Sequence, residues 1–177
     1  MKNITIKEYA QLQDASEYAI LEFVKPANSF AGKSFTVNSM PFTNVKYCIR
    51  LIGNMNDWNT LCQLFTICFD IDDDAFWNAR VKEYFQARQY IIQQFKNAVE
   101  IESKLFASQD KDAHLWKMAG SERLMPYNDL LPLINLGKML GQYPQDLGRK
   151  PYVEIISLLA ATKVQSEVEQ DFLKLKK

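Results

Sequence analysis

Every glycine and proline in this chain lies at or before Gly53, or at or after Gly120. The stretch between them lacks both helix breakers, and that commits the middle of the molecule to helix. Within it, Asp72, Asp73 and Asp74 form an acidic cluster suited to the positive end of a helix dipole. Beyond the cluster, Trp77, Val81, Tyr84, Arg88, Ile91, Phe95, Ala98, Glu102 and Leu105 mark one seam, widened by Phe85, Ile92, Val99 and Phe106. The pattern predicts one long helix from Asp74 to Ala107, about 50 Å at ~1.5 Å per residue. Lys82, Gln86, Gln93, Lys96, Asn97, Glu100 and Lys104 form its polar side.

Two further helices precede it. Val45, Cys48, Ile49 and Ile52 recur at i, i+3, i+4 and i+7 after Pro41, which suits a first helical turn. Trp58, Leu61, Cys62, Leu64, Phe65 and Cys68 then make a wide apolar face that Asn56 or Asp57 can cap. Before Pro41 the pattern is mixed. Ile4 and Ile6 alternate like a short strand, while Thr5 with Glu8 offers a capping box instead. Tyr18 to Val24 is strand-like, and Ser34 to Val37 can pair with it across a turn over Ala27 to Lys33. A small N-terminal β-hairpin is therefore expected.

After the long helix, Ser108 to Met125 reads as a connector with one turn around Leu115-Trp116. Asn128 opens a short helix through Leu130, Leu131, Ile134, Met139 and Leu140, closed by Gly141. Gln142 to Lys150 reads as a loop. Pro151 starts a last helix with Val153, Ile155, Ile156, Leu159, Val164, Val168 and Phe172 inward. The expected fold is mainly α: a helical bundle around one long central helix, with the small hairpin. The chain reads as one domain, 1–177, with a mixed part over 1–40, a helical core over 41–107 and C-terminal helices over 126–177. At 177 residues and 47% apolar, it can bury a core without metal or disulfide support.

The motifs that carry chemistry are weak. Ala27-Asn28-Ser29-Phe30-Ala31-Gly32-Lys33-Ser34 resembles a phosphate-binding loop, which needs glycine-rich N–H groups, a lysine for outer phosphates and a serine for magnesium. Ala27 stands where the first glycine belongs, and Phe35-Thr36-Val37 looks extended where a helix must begin. A nucleotide-dependent enzyme using Gly32, Lys33 and Ser34 is the third-ranked reading. Asp70 to Asp74 imitates a calcium loop, but Ala75 and Val81 occupy the required glycine and glutamate positions. A helix cap accounts for those carboxylates better. His114, the only histidine, lies in a polar connector, away from the apolar faces that hold Cys48, Cys62 and Cys68. That disfavours a thiol–imidazole dyad and a zinc set alike. No catalytic, cofactor or metal residues are assigned. Trp77, Tyr84, Tyr90, Arg80 and Arg88 would suit base stacking, but they fit a core seam with snorkelling arginines better.

Charge and cysteine usage narrow the partners. With 21 basic and 21 acidic residues there is no global field for a polyanion, so nucleic acid is disfavoured. No run of about 18 uncharged apolar residues offers a membrane span. Three unspaced cysteines suit a reducing compartment, and the N-terminus lacks the apolar core of a secretory signal. An intracellular or intravirion protein is expected.

Phe76-Trp77-Asn78-Ala79-Arg80-Val81-Lys82-Glu83-Tyr84-Phe85, followed by a helix ending Ile101-Glu102-Ser103-Lys104-Leu105, resembles small assembly proteins of tailed bacteriophages. Leu136 to Leu140 and Lys150 to Ile156 carry the same resemblance. It spans residues 74–177 and looks closest to tail-assembly-chaperone-like proteins of phages of Bacteroides-type hosts. It implies a non-enzymatic structural or assembly protein, acting in tail assembly or head–tail connection through contacts with other phage proteins or with further copies of itself. Trp116, Tyr127, Tyr143 and Tyr152 are the candidate contact residues, being rings the core pattern does not require. The alternative is a small regulatory or nucleic-acid-binding adaptor, with Lys33, Lys46 and Arg50 as its early basic residues.

Overall fold

The computed structural model describes residues 3–55, 57–107 and 113–176. Among them the chain is mainly helical and holds no sheet. Its packing falls into two compact units: residues 1–40 with 44–98, and residues 41–43 with 99–177.

The first unit opens on helix α1 (Ile6–Tyr9), whose capping box joins Thr5 and Glu8. The Glu8 carboxylate accepts from the Thr5 N–H at 2.7 Å, and those hydrogen bonds hold its pKa below the usual value. Strand-like pairing is realised as well, but as a single bridge between Thr5 and Arg80. Helix α2 (Phe42–Ile52) begins after Pro41 and buries Val45 and Cys48. Helix α3 (Trp58–Phe69) is capped by Asp57, which accepts from the Thr60 N–H at 2.8 Å. Asn56, the other expected cap, lies outside the described residues.

The long helix is interrupted. Helix α4 (Asp73–Asn78) is capped by Asp72, and helix α5 (Val81–Phe106) starts afresh after an extended Ala79. No glycine or proline marks this break. It is made by tertiary pairing: the Ile6 N–H donates to the Ala79 carbonyl, and the Val81 N–H donates to the Ile4 carbonyl, both at 3.0 Å. The twenty-six residues of α5 divide between the units after Ala98.

The hairpin does not form. Ser16–Phe23 is a 3-10 helix, with Tyr18 and Leu21 buried three residues apart. A short continuous apolar run carries no period that separates strand from helix, and here the three-residue repeat prevails. What remains of the hairpin is its turn. Phe30 and Lys33 exchange backbone hydrogen bonds at 2.9 Å, and Ala31 and Gly32 both take positive φ (47° and 73°), as a type I′ turn requires. Asn28 pins the loop by bonding both backbone groups of Phe35, at 2.9 and 3.0 Å.

The turn delivers Phe30 into the core at 0% exposure. Its ring meets Phe65 at 4.7 Å, Phe69 at 5.5 Å and Phe76 at 6.1 Å. Tyr84 stacks on Phe65, and Trp58 lies against both Trp77 and Tyr84. Edge-on and tilted ring pairs of this kind add about 0.5–1.5 kcal/mol each beyond area burial. The seam expected of the long helix is therefore largely core in this unit.

In the second unit, helix α6 (Ala113–Met118) and a 3-10 segment (Ser121–Tyr127) replace the expected connector. Helix α7 (Leu131–Leu140) starts at Leu131 with Pro132 in its first turn; Asn128 ends the 3-10 segment instead of capping it. Gly141 closes α7 at φ 65°. The expected loop contains helix α8 (Pro144–Arg149), which Pro144 starts with a preset φ. Helix α9 (Tyr152–Leu175) completes the unit.

Leu133, Leu136, Leu147, Tyr152, Ile155, Ile156 and Phe42 form the core here. Gly148 is buried so closely under Thr43 that an added Cβ would sit 2.6 Å from the Thr43 Cγ2. The Thr43 hydroxyl donates to the Gly148 carbonyl at 3.0 Å. The Lys163 amine donates to the carbonyls of Leu105 (3.0 Å) and Ala107 (2.7 Å), satisfying groups that the end of α5 leaves open.

Candidate functional site

Gly120 turns the chain sharply between α6 and the following 3-10 segment, at φ 83°. The turn sets Trp116 near Arg123, Leu124 and Tyr127 around a concavity of about 490 Å³. Trp116 is 58% exposed and Tyr127 55%, so two of the expected contact residues share one hollow. Leu115, Met118 and Met125 are exposed in the same two segments, outside that lining, Met118 at 82%. Arg123 is the charged side chain among the lining residues. Two rings, a leucine and one guanidinium suit a contact that joins apolar surface to an acidic group. They supply no nucleophile paired with a base.

The other two candidates separate. Tyr143 precedes α8 and is 76% exposed, outside that lining. Tyr152 is a core residue. It is 4% exposed, its ring stacks with Phe42, and its hydroxyl donates to a Glu102 carboxylate oxygen at 2.7 Å. Burial first, and that hydrogen bond second, push its pKa upward. It drops out as an exposed contact. The sequence pattern misled because a ring at a helix start serves equally as a plug and as a handle. The density of large apolar residues between Leu115 and Tyr127 is the sequence signal that also points to Leu115, Met118, Leu124 and Met125.

The chemical motifs resolve into structural roles. In the phosphate-loop-like stretch, the N–H groups of Phe30 and Lys33 are consumed by their mutual bonds. The Lys33 amine donates to the Asp70 carbonyl at 3.1 Å and lies 3.6 Å from its carboxylate. No helix follows at Ser34; the next element is a 3-10 turn at Val37–Ser39. In the acidic cluster, Asp70 ends α3 in the left-handed region (φ 50°), and Asp72 accepts from the Ala75 N–H at 2.7 Å. Among the described residues, no three His, Cys, Asp or Glu side chains gather to hold a metal.

The thiols are buried. Burial, then the 3.5 Å contact with Asp73, pushes Cys62 up to about 12. A hydrogen bond with Cys48, then burial, pushes Cys68 upward as well. Neither supplies thiolate near neutral pH. Arg88 pairs with Glu22 at 3.1 Å and Arg80 reaches the Asn3 carbonyl, while Tyr84 is buried, so these side chains bind the unit together. Among the described residues no helix is long and apolar enough to cross a membrane. No protein-family model, curated protein or solved structure matches the chain.

Proposed function

We propose that this chain is a non-enzymatic structural or assembly protein that works through protein–protein contacts, of the kind found in tailed bacteriophages. The observation that carries the reading is the concavity between α6 and the Ser121–Tyr127 segment, where Trp116 and Tyr127 stand open with Leu124 and Arg123, in a stretch that also exposes Met118 and Met125. Exposed large apolar side chains in one contiguous stretch favour a partner surface over solvent. The resemblance of residues 74–177 to phage assembly proteins supplies the partner class: another component of the tail or of the head–tail connection, met in the host cytoplasm or in the virion.

The test is co-purification of the full chain with assembling tail or connector particles from infected cells. The parent is expected on the particle, and the W116A/Y127A variant is expected to lose at least about tenfold of that binding while keeping its fold. A parent absent from every such particle refutes the reading. Salt-sensitive binding to DNA or RNA by the purified chain would move it to the adaptor class instead.

A further inference from the structure

The hollow beside Gly120 is built from two short helical faces. Trp116 and Ala119 lie three residues apart over the end of α6. Ser121, Leu124 and Tyr127 recur every third residue, the spacing that eclipses side chains in a 3-10 helix. Arg123 is one position off that repeat, so it borders the apolar lining. Gly120 lets the stem of Arg123 close in: a Cβ added at Gly120 would lie 3.4 Å from the Arg123 Cδ.

The charges around the hollow leave one group without a partner. Lys117, Glu122 and Arg123 are the Lys, Arg, Asp and Glu residues of α6 and the Ser121–Tyr127 segment. Lys117 and Glu122 lie 4.0 Å from each other, so the acid next to Arg123 in sequence turns to another cation. Asp129, the next acid along the chain, is half-buried and has a partner of its own. Among the described residues the Arg123 guanidinium has no hydrogen bond or ion pair, and neither Trp116 nor Tyr127 bonds or stacks with another side chain. The hollow is therefore left with one net positive charge, set beside two open rings.

A guanidinium is a planar fork of donors that matches a carboxylate with two parallel hydrogen bonds. An amide offers it one acceptor oxygen, and an ammonium repels it. About 490 Å³ is the size of a concave ligand site rather than of a flat domain face, so a partner enters as a short segment. On the protein-contact reading above, on which this proposal rests, we infer that the hollow takes a partner segment in which an acidic side chain adjoins an aromatic or aliphatic one. The carboxylate meets Arg123, and the apolar side chain lies against Trp116, Leu124 and Tyr127.

Capped peptides titrated against the purified full chain by NMR test it. The probe is acetyl-Gly-Leu-Glu-Phe-Gly-amide, whose one carboxylate is a side chain, beside the same peptide with Gln or Lys for Glu. The glutamate peptide is expected to bind with a dissociation constant below about 1 mM. The glutamine peptide binds about fivefold more weakly, and the lysine peptide more weakly still. Arg123 is exposed, so R123E keeps the helical spectrum and melting temperature. It reverses the order, taking the lysine peptide about fivefold better than the glutamate one. W116A/Y127A weakens the glutamate peptide at least about tenfold. A glutamine peptide as tight as the glutamate one overturns the inference, as does an R123E chain that still prefers glutamate. So does the absence of binding by all three up to about 5 mM. A glutamine peptide with a free C-terminal carboxylate that outbinds the capped glutamate peptide gives the hollow to a chain terminus and overturns it too. Particle binding that W116A/Y127A loses and R123E keeps overturns the acidic segment alone. A parent absent from every particle overturns the assembly reading, and the peptide order on the purified chain still decides this one.

Discussion

The two units differ in how far their aromatic residues are covered, although Phe23 of the first stands exposed. In the first, Phe30, Phe65, Phe69, Phe76 and Tyr84 are inside, each 4% exposed or less, and they touch ring to ring. In the second, Trp116, Tyr127, Tyr143 and Phe172 stand open, and the core consists mainly of leucines and isoleucines with Phe42 and Tyr152. Apolar content therefore says little about burial by itself. What differs is closure. A fold-back loop carrying Phe30, locked by Asn28 and a two-residue turn, completes the aromatic core of the first unit. The Ser121–Tyr127 segment and the end of α9 receive no such cover among the described residues.

The sharpest way to break this contrast is Phe65→Ala. Phe65 is fully buried among four rings, so its loss is expected to cost about 3–5 kcal/mol in urea unfolding. A cost near that of an exposed ring would erase the distinction between the two cores. Gly148→Ala tests the second unit in the reverse direction, by overfilling it. The 2.6 Å approach to Thr43 Cγ2 predicts a loss of about 1–3 kcal/mol. Adding Thr43→Ser, which removes that methyl and keeps the hydroxyl bonded to the Gly148 carbonyl, is expected to recover most of the loss.

Tyr152→Phe addresses the tyrosine that the structure moved inside. Removing its bond to Glu102 is expected to cost about 1 kcal/mol at neutral pH. The pH dependence has a definite sign. Tyr152 is pushed upward, and Tyr84 is pushed up to about 12 by burial, from an ordinary value of 10.0. Both contribute stability that is complete below pH 10.0 and is lost as pH rises toward their folded values. Thermal melts above pH 10.0 should fall steeply in the parent and less steeply in Tyr152→Phe.

Smaller still is Ala31→Asn. Ala31 holds φ 47°, a conformation asparagine adopts more readily, so a gain of about 0.5–1 kcal/mol in unfolding free energy is expected. At the bottom of the scale lies W116A/Y127A. Both rings are more than half exposed, and stability should move by no more than about 0.5 kcal/mol. A larger loss in thermal or chemical melts would make them structural and remove the contrast from the other side.

Local signals carried much of the fold. The Thr5–Glu8 box, the Asp57 and Asp72 caps, the helices starting near Pro41 and Pro151, and the Gly141 stop depend on groups only a few residues apart, so spacing reveals them. The wide face of α3 was legible for the same reason. Half of the concavity was legible too: Trp116 and Tyr127 stood out as rings without a core position, whereas Tyr152 could not be told from them. A ring's burial depends on what another segment brings to it, and periodicity along one helix does not encode that.

The sequence by itself determined a mainly helical chain, its principal caps and stops, and the structural role of its acidic cluster. Tertiary structure alone decided the break between α4 and α5, where Ile4 to Ile6 claim the backbone groups of Ala79 and Val81 in a stretch with no breaker residue. It also decided that Tyr18 to Phe23 coils as part of a 3-10 helix, that Phe30 plugs a core, and that one apolar stripe of α9 is buried while the opposite one is bare. Backbone pairing and burial are relations between distant segments, and a residue's own neighbours in sequence cannot fix which of two apolar faces will find one.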